Sequence, residues 1–173
     1  MKKIIITILA TITVCTAVLY AQLPNIIRDD MVINGLTLCQ SYTKEQMIEA
    51  LGQPDSIMVY TDESGVINRY CYEASYFTVT EEGNCFVDFV VTDSKFKLNN
   101  FISVGDPAAR VTLLGGIIKD VELTNHEGNL VKIRNWRISK DVNEDKYYSS
   151  SINFVYNNEG YITEIEAVYN LWF

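Results

Sequence analysis

From Thr43 onward the apolar positions first fall into a helical spacing, and past Ser56 they alternate. Met47, Ile48 and Leu51 share one face of a helix over Thr43–Gly52, TKEQMIEALG. Thr43 is a good N-cap, and Gly52 suits a left-handed C-cap. A second stretch, DPAARVTLLG over Asp106–Gly115, has the same form and lies 63 residues further on. There Asp106 is the N-cap, Pro107 holds the first helical position, and Ala109, Leu113 and Leu114 share a face.

After each helix the period changes to two. Ser56–Thr61 and Ile117–Thr124 are rich in β-branched residues and predict strands, each followed by a polar turn ending in Gly65 or Gly128. VINRYCYE from Val66 corresponds to LVKIRNWR from Leu130, which sets Tyr72 opposite Trp136. VDFVV from Val87 corresponds to INFVY from Ile152. Polar turns follow at 92–95 and 157–160, and last strands are predicted around Phe96–Val104 and Tyr161–Tyr169. The nearly constant offset predicts an α+β fold of two tandem repeats, each a short helix plus about four antiparallel strands. The expected boundaries are a signal peptide at 1–21, a leader at 22–35 that packs loosely, a first repeat at 36–101 and a second at 102–173, the two repeats forming one body. Both helices are expected on one side of the sheet, leaving the other face wet and free to bind.

Composition changes this picture in one respect, the location. The chain has 173 residues, 48% of them hydrophobic, enough to fill a core. Met1-Lys2-Lys3 precedes an apolar run to Tyr20, a signal-peptide pattern with cleavage after Ala21. Membrane association then requires lipidation of Cys15 or an uncleaved signal. Export places the protein in the periplasm, at the outer membrane or outside the cell. Fourteen basic residues oppose 22 acidic ones, a formal charge of -8, and loss of Lys2 and Lys3 makes it more negative. Such a chain lacks the phosphate-neutralising surface that nucleic acid requires.

Export permits a disulfide among Cys39, Cys71 and Cys85, and three single pairings are possible. Cys71–Cys85 is favoured because both fall on strands that look adjacent; three buried thiols are the alternative. His126 is the single histidine and sits in a polar turn, so neither a catalytic triad nor a multi-histidine metal site is expected. Asp141-x-Asn143-x-Asp145 opens like a calcium loop, yet Lys146 stands where glycine belongs and Ile152 where the bidentate Glu belongs. No cofactor, metal or catalytic residue is expected.

Glu49-Ala50-Leu51-Gly52-Gln53-Pro54-Asp55 and Ser103-Val104-Gly105-Asp106 are short motifs shared with known envelope proteins. With them the chain resembles the SmpA/OmlA (BamE-like) group and the β-lactamase-inhibitor-protein fold over roughly residues 36–169. The second stretch departs from the pattern, with Ile117 opposite Pro54. The resemblance implies a sheet or loop that binds another protein, and no catalysis.

Alternation puts Lys132, Arg134 and Trp136 on one side of a strand, with Tyr148 nearby and Tyr70 and Tyr72 in matching places. Trp, Tyr and Arg are enriched at protein–protein hot spots, so these six are the expected partner-binding residues. The competing expectation is that Tyr70, Tyr72 and Trp136 are core. The expected function is a non-enzymatic, protein-binding module of the envelope. The alternatives are an inhibitor of an exported enzyme and, further off, a sugar-binding protein or hydrolase using the abundant carboxylates.

Overall fold

Period-two alternation builds most of the molecule. The computed structural model describes residues 31–62, 65–124, 130–137 and 148–171. A two-stranded hairpin, β1 (Val32–Ile33) and β2 (Leu36–Thr37), comes first, followed by one helix, α1 (Lys44–Leu51). Then come β3 (Ser56–Asp62), β4 (Gly65–Tyr72), β5 (Ser75–Thr80) and β6 (Phe86–Val91). A 3-10 segment, Ala108–Leu114, leads into β7 (Ile117–Thr124), β8 (Leu130–Arg137), β9 (Tyr148–Tyr156) and β10 (Ile162–Leu171). Strands β3 to β10 form one antiparallel sheet of eight, in the order β3-β4-β5-β6-β10-β9-β8-β7.

This overturns the expected α+β architecture of two tandem helix-plus-strand repeats. Over the described residues the protein is mostly β, one large sheet plus a small hairpin, and the helical pieces there are short. Three local causes explain the difference. First, Ser75–Thr80 is a strand between β4 and β6, so Val87–Val91 ends a meander and has no counterpart in β9. Second, the expected strand at Phe96–Val104 does not enter the sheet. Asn99 and Asn100 take left-handed backbone conformations (φ 47 and 64) and fold the chain back, so that Leu98 bridges Ile102. Third, the expected second helix is 3-10. Its buried residues, Ala108, Val111 and Leu114, recur every third position, the period of that helix. Ala109 and Leu113, expected on its inner face, are exposed.

The core lies against one face of the sheet. Register and burial place Tyr70, Tyr72, Phe77, Val79, Phe86, Phe89, Val91, Ile165, Ala167, Phe154, Ile152 and Trp136 on that face. It is covered by Met47 and Leu51 of α1, by the 3-10 segment, and by Phe96, Leu98 and Ile102 of the turned-back loop. α1 has a complete capping box: Thr43 Oγ1 accepts from Gln46 N–H, and Gln46 Oε1 accepts from Thr43 N–H at 2.8 Å. Two side chains tie the covering pieces down. Tyr72 Oη donates to Gly52 O at 2.9 Å, and Trp136 Nε1 donates to Gly115 O at 2.7 Å.

The segment expected to pack loosely is also part of the core where it is described. Met31 and Ile33 are buried, and Asn34-Gly35 turns β1 into β2 with both residues at positive φ. Asn34 and Asn99 stitch this hairpin to the loop through Lys97 N–H→Asn34 Oδ1 and Val32 N–H→Asn99 Oδ1. Residues 1–21, expected to be a signal peptide, with Cys15 among them, and His126 and the Asp141–Asp145 motif lie outside the described residues.

Candidate functional site

Among the described residues no helix or loop packs on the opposite face of the sheet, and that face is largely polar. One cross-strand row crosses all eight strands: Ser56, Cys71, Tyr76, Val90, Glu166, Asn153, Asn135 and Lys119. Asn135 Nδ2 donates to Asn153 Oδ1 at 2.7 Å, and Asn153 Nδ2 donates to Glu166 Oε2 at 3.2 Å. The next row runs Met58, Arg69, Thr78, Asp88.

Arg69 is the centre of this surface. Its guanidinium lies 4.1 Å from the Tyr76 ring centroid and 5.1 Å from that of Tyr60. Nη2 donates to Tyr60 Oη at 2.9 Å. Two aromatic rings and a hydrogen bond hold the cation in one orientation on the strand beside the β3 border. Yet Arg69 Nε, Thr78 Oγ1 and Asp88 Oδ1 are buried and complete no well-formed hydrogen bond, though Thr78 stands directly opposite Asp88 and its hydroxyl favours the ionised carboxyl. Buried polar atoms in native proteins are nearly always paired. Three of the four unpaired ones among the described residues fall in this single row; the fourth is Asn99 Nδ2.

The acids here feel their burial. Desolvation pushes the Asp88 carboxyl above its ordinary range; Thr78 and Arg69 pull it back, and the charge of Glu166 adds to the rise. Glu164 is raised by burial and then by Glu166. Because Asp88 binds its proton more tightly folded than unfolded, its ionisation removes stability as pH rises through that interval. Asp88→Asn is therefore expected to be at least as stable as the wild type at pH 7. The advantage should fade near pH ~3, below the ordinary Asp pKa, where both states carry the proton. Urea midpoints at the two pH values measure this. A less stable variant at pH 7 would mean that the carboxylate holds Arg69 in place.

The residues expected from the sequence to bind a partner lie on the other face. Tyr70, Tyr72 and Trp136 are 5%, 4% and 1% exposed, which removes them from any contact surface. Arg134 does share their face. Its Nε and Nη2 bond Asp120 at 2.7 and 2.8 Å, and Nη1 donates to Ala108 O, so it clamps the 3-10 segment to the sheet border. Lys132 is half-buried opposite Tyr156, and the Tyr148 side chain lies outside the described residues.

The Cys71–Cys85 disulfide is also excluded, because β5 separates the two strands. Cys71 pairs with Tyr76, whereas Cys85 O accepts from Thr80 N–H, four residues further along β5. That separation is roughly 13 Å at ~3.3 Å per residue, beyond the ~7 Å reach between the Cα atoms of a disulfide. Both are thiols, and burial pushes that of Cys85 up.

Among the described residues no three His, Cys, Asp or Glu side chains converge as metal ligands, and no helix is long and apolar enough to cross a membrane. No protein-family model matches the chain, and no curated protein or solved structure is significantly similar to it.

Proposed function

We propose that the protein is an exported, non-enzymatic module that binds a partner protein through the open face of its large sheet. The observation that carries this is Arg69 on the open face, held by the Tyr60 and Tyr76 rings beside the polar pair Thr78 and Asp88. A partner laid on the face would meet the Arg69 guanidinium and the partly exposed rings of Tyr60 and Tyr76. Tyr and Arg are the residue types that carry binding energy at such surfaces. Around them, Asn135, Asn153 and Glu166 form a polar ladder, and Val121, Ile133 and Val155 an apolar strip in the register of β7, β8 and β9. This reading rests on the face itself, and the short resemblance around Leu51–Asp55 is not needed for it. Export rests on the pattern of residues 1–21.

The test is Arg69→Ala compared with wild type. Capture from the envelope fraction should retain a protein with wild type and lose it with the variant. With that protein purified, affinity should fall about 30-fold, the size of a hot-spot truncation. Arg69→Lys should fall nearly as far, since an ammonium keeps the charge but not the planar fork. Unchanged affinity for a folded Arg69→Ala variant would overturn the proposal.

A further inference from the structure

β3 and β7 are the two borders of the large sheet. A border strand presents a row of unpaired N–H and C=O groups, and proteins guard it with charges, proline, bulges or cover. β7 is guarded: it carries Lys119, Asp120 and Glu122, and Asp120 is ion-paired to Arg134 at 2.7 Å. β3 is not. Its sequence is SIMVYTD, with a single charge at its last position. Its register with β4 runs from Ser56 to Asp62 without a shift, so no bulge turns it away. Met58 is 56% exposed on the open face and Val59 65% exposed on the other. Neither face of β3 is covered at its middle.

The strand is also self-complementary. Val59 is the centre of its seven residues; Met58 and Tyr60 flank it, then Ile57 and Thr61, then Ser56 and Asp62. Laid antiparallel on itself about Val59, the strand sets valine against valine and isoleucine against threonine. Methionine meets tyrosine, a favourable sulfur–aromatic contact. Each aspartate meets a serine, so no like charges oppose.

From this pattern we infer that β3 pairs antiparallel with β3 of a second copy, about a two-fold axis at Val59, so that two eight-stranded sheets become one. Backbone hydrogen bonds supply the attraction and the alternate side chains fix the register. The arrangement closes on itself. A β3–β7 pairing between copies would be head-to-tail and would extend without limit, and it would set the apolar β3 against the charges of β7. The open faces of both copies stay free.

Sedimentation of the purified protein over a range of concentrations tests the inference. Wild type is expected to reach a dimer as concentration rises. Val59→Lys should weaken self-association by about tenfold or more, since two like charges then meet at the axis. Val59→Cys should give a disulfide-linked dimer on oxidation, because directly opposite residues lie ~5.5 Å apart at Cα, within disulfide reach. Leu123→Cys on the guarded border should not. The cross-link keeps the test open if Val59→Lys fails to fold. A wild type that stays monomeric would overturn the inference and leave the edge to an extended segment of another protein. So would a dimer indifferent to Val59→Lys that links at position 123 rather than 59. Arg69 lies on β4 away from the axis, but it holds Tyr60 of β3, so sedimentation of Arg69→Ala is run alongside, and a dimer that persists in it keeps the two results separate.

Discussion

Phe77→Ala is expected to remove about 3–5 kcal/mol of folding stability, the usual range for deleting a fully enclosed phenylalanine. Phe77 has no exposed surface and is the ring on which β4, β5, β6 and the turned-back loop converge. Tyr72 and Phe96 meet it edge-on at centroid distances of 5.7 and 4.9 Å, while Phe86 and Phe89 lie at 6.2 and 6.0 Å. These partners come from β4, the turned-back loop and β6, so the ring joins the sheet to its cover. Its loss leaves a cavity walled by rigid rings, and rigid walls collapse poorly. Against a total of about 5–15 kcal/mol for a domain, the effect is a large fraction of all stability. The thermal midpoint should drop by about 10–15 °C. Equilibrium urea unfolding gives the free energy directly. A loss below about 1.5 kcal/mol would show that the cluster relaxes around the gap.

Why this ring sits at the centre was not legible in the sequence, because β5 itself was not. The turn between β4 and β5 is Glu73-Ala74, with Glu73 at φ 53. Neither residue is a usual turn former, so composition does not mark where one strand stops and the next begins. The opposite error occurs at Phe96–Val104, where buried Phe96, Leu98 and Ile102 look like a strand and Asn99-Asn100 folds them into a turn. Where turn chemistry and alternation agree, as at Asn157–Gly160 between β9 and β10, the hairpin was legible. α1 was legible because Thr43 and Gly52 mark its two ends.

The open face was harder to find for a reason built into strands. Alternation tells which side chains share a face and leaves open which face is covered. Tyr70, Tyr72, Lys132, Arg134 and Trp136 do share one, but it is the face that the helical pieces cover. The interleaved positions Arg69, Tyr76, Asp88, Asn153 and Glu166 make the open face. The high cost of burying charge points to Arg69 as the wet position of β4. Applied to β8, the same rule fails. Arg134 stays on the covered face because Asp120 and the Ala108 carbonyl satisfy it there.

Trp136→Ala separates the two roles that this strand could have had. Trp136 is 1% exposed, stands opposite Ile118 and Ile152, and donates its indole N–H to Gly115 O. Truncation removes the largest enclosed side chain among the described residues and releases the end of the 3-10 segment. We expect a loss of about 3–5 kcal/mol. Trp136→Phe retains most of the apolar volume but leaves the Gly115 carbonyl without its donor. It should lose about 1–3 kcal/mol, so the difference between the variants isolates packing from the hydrogen bond. Partner affinity, measured on the fraction that remains folded, should stay close to wild type for both, in contrast to Arg69→Ala. If Trp136→Ala instead kept its stability and lost the partner, the indole would belong to a contact surface, and the assignment of the two faces would have to be exchanged.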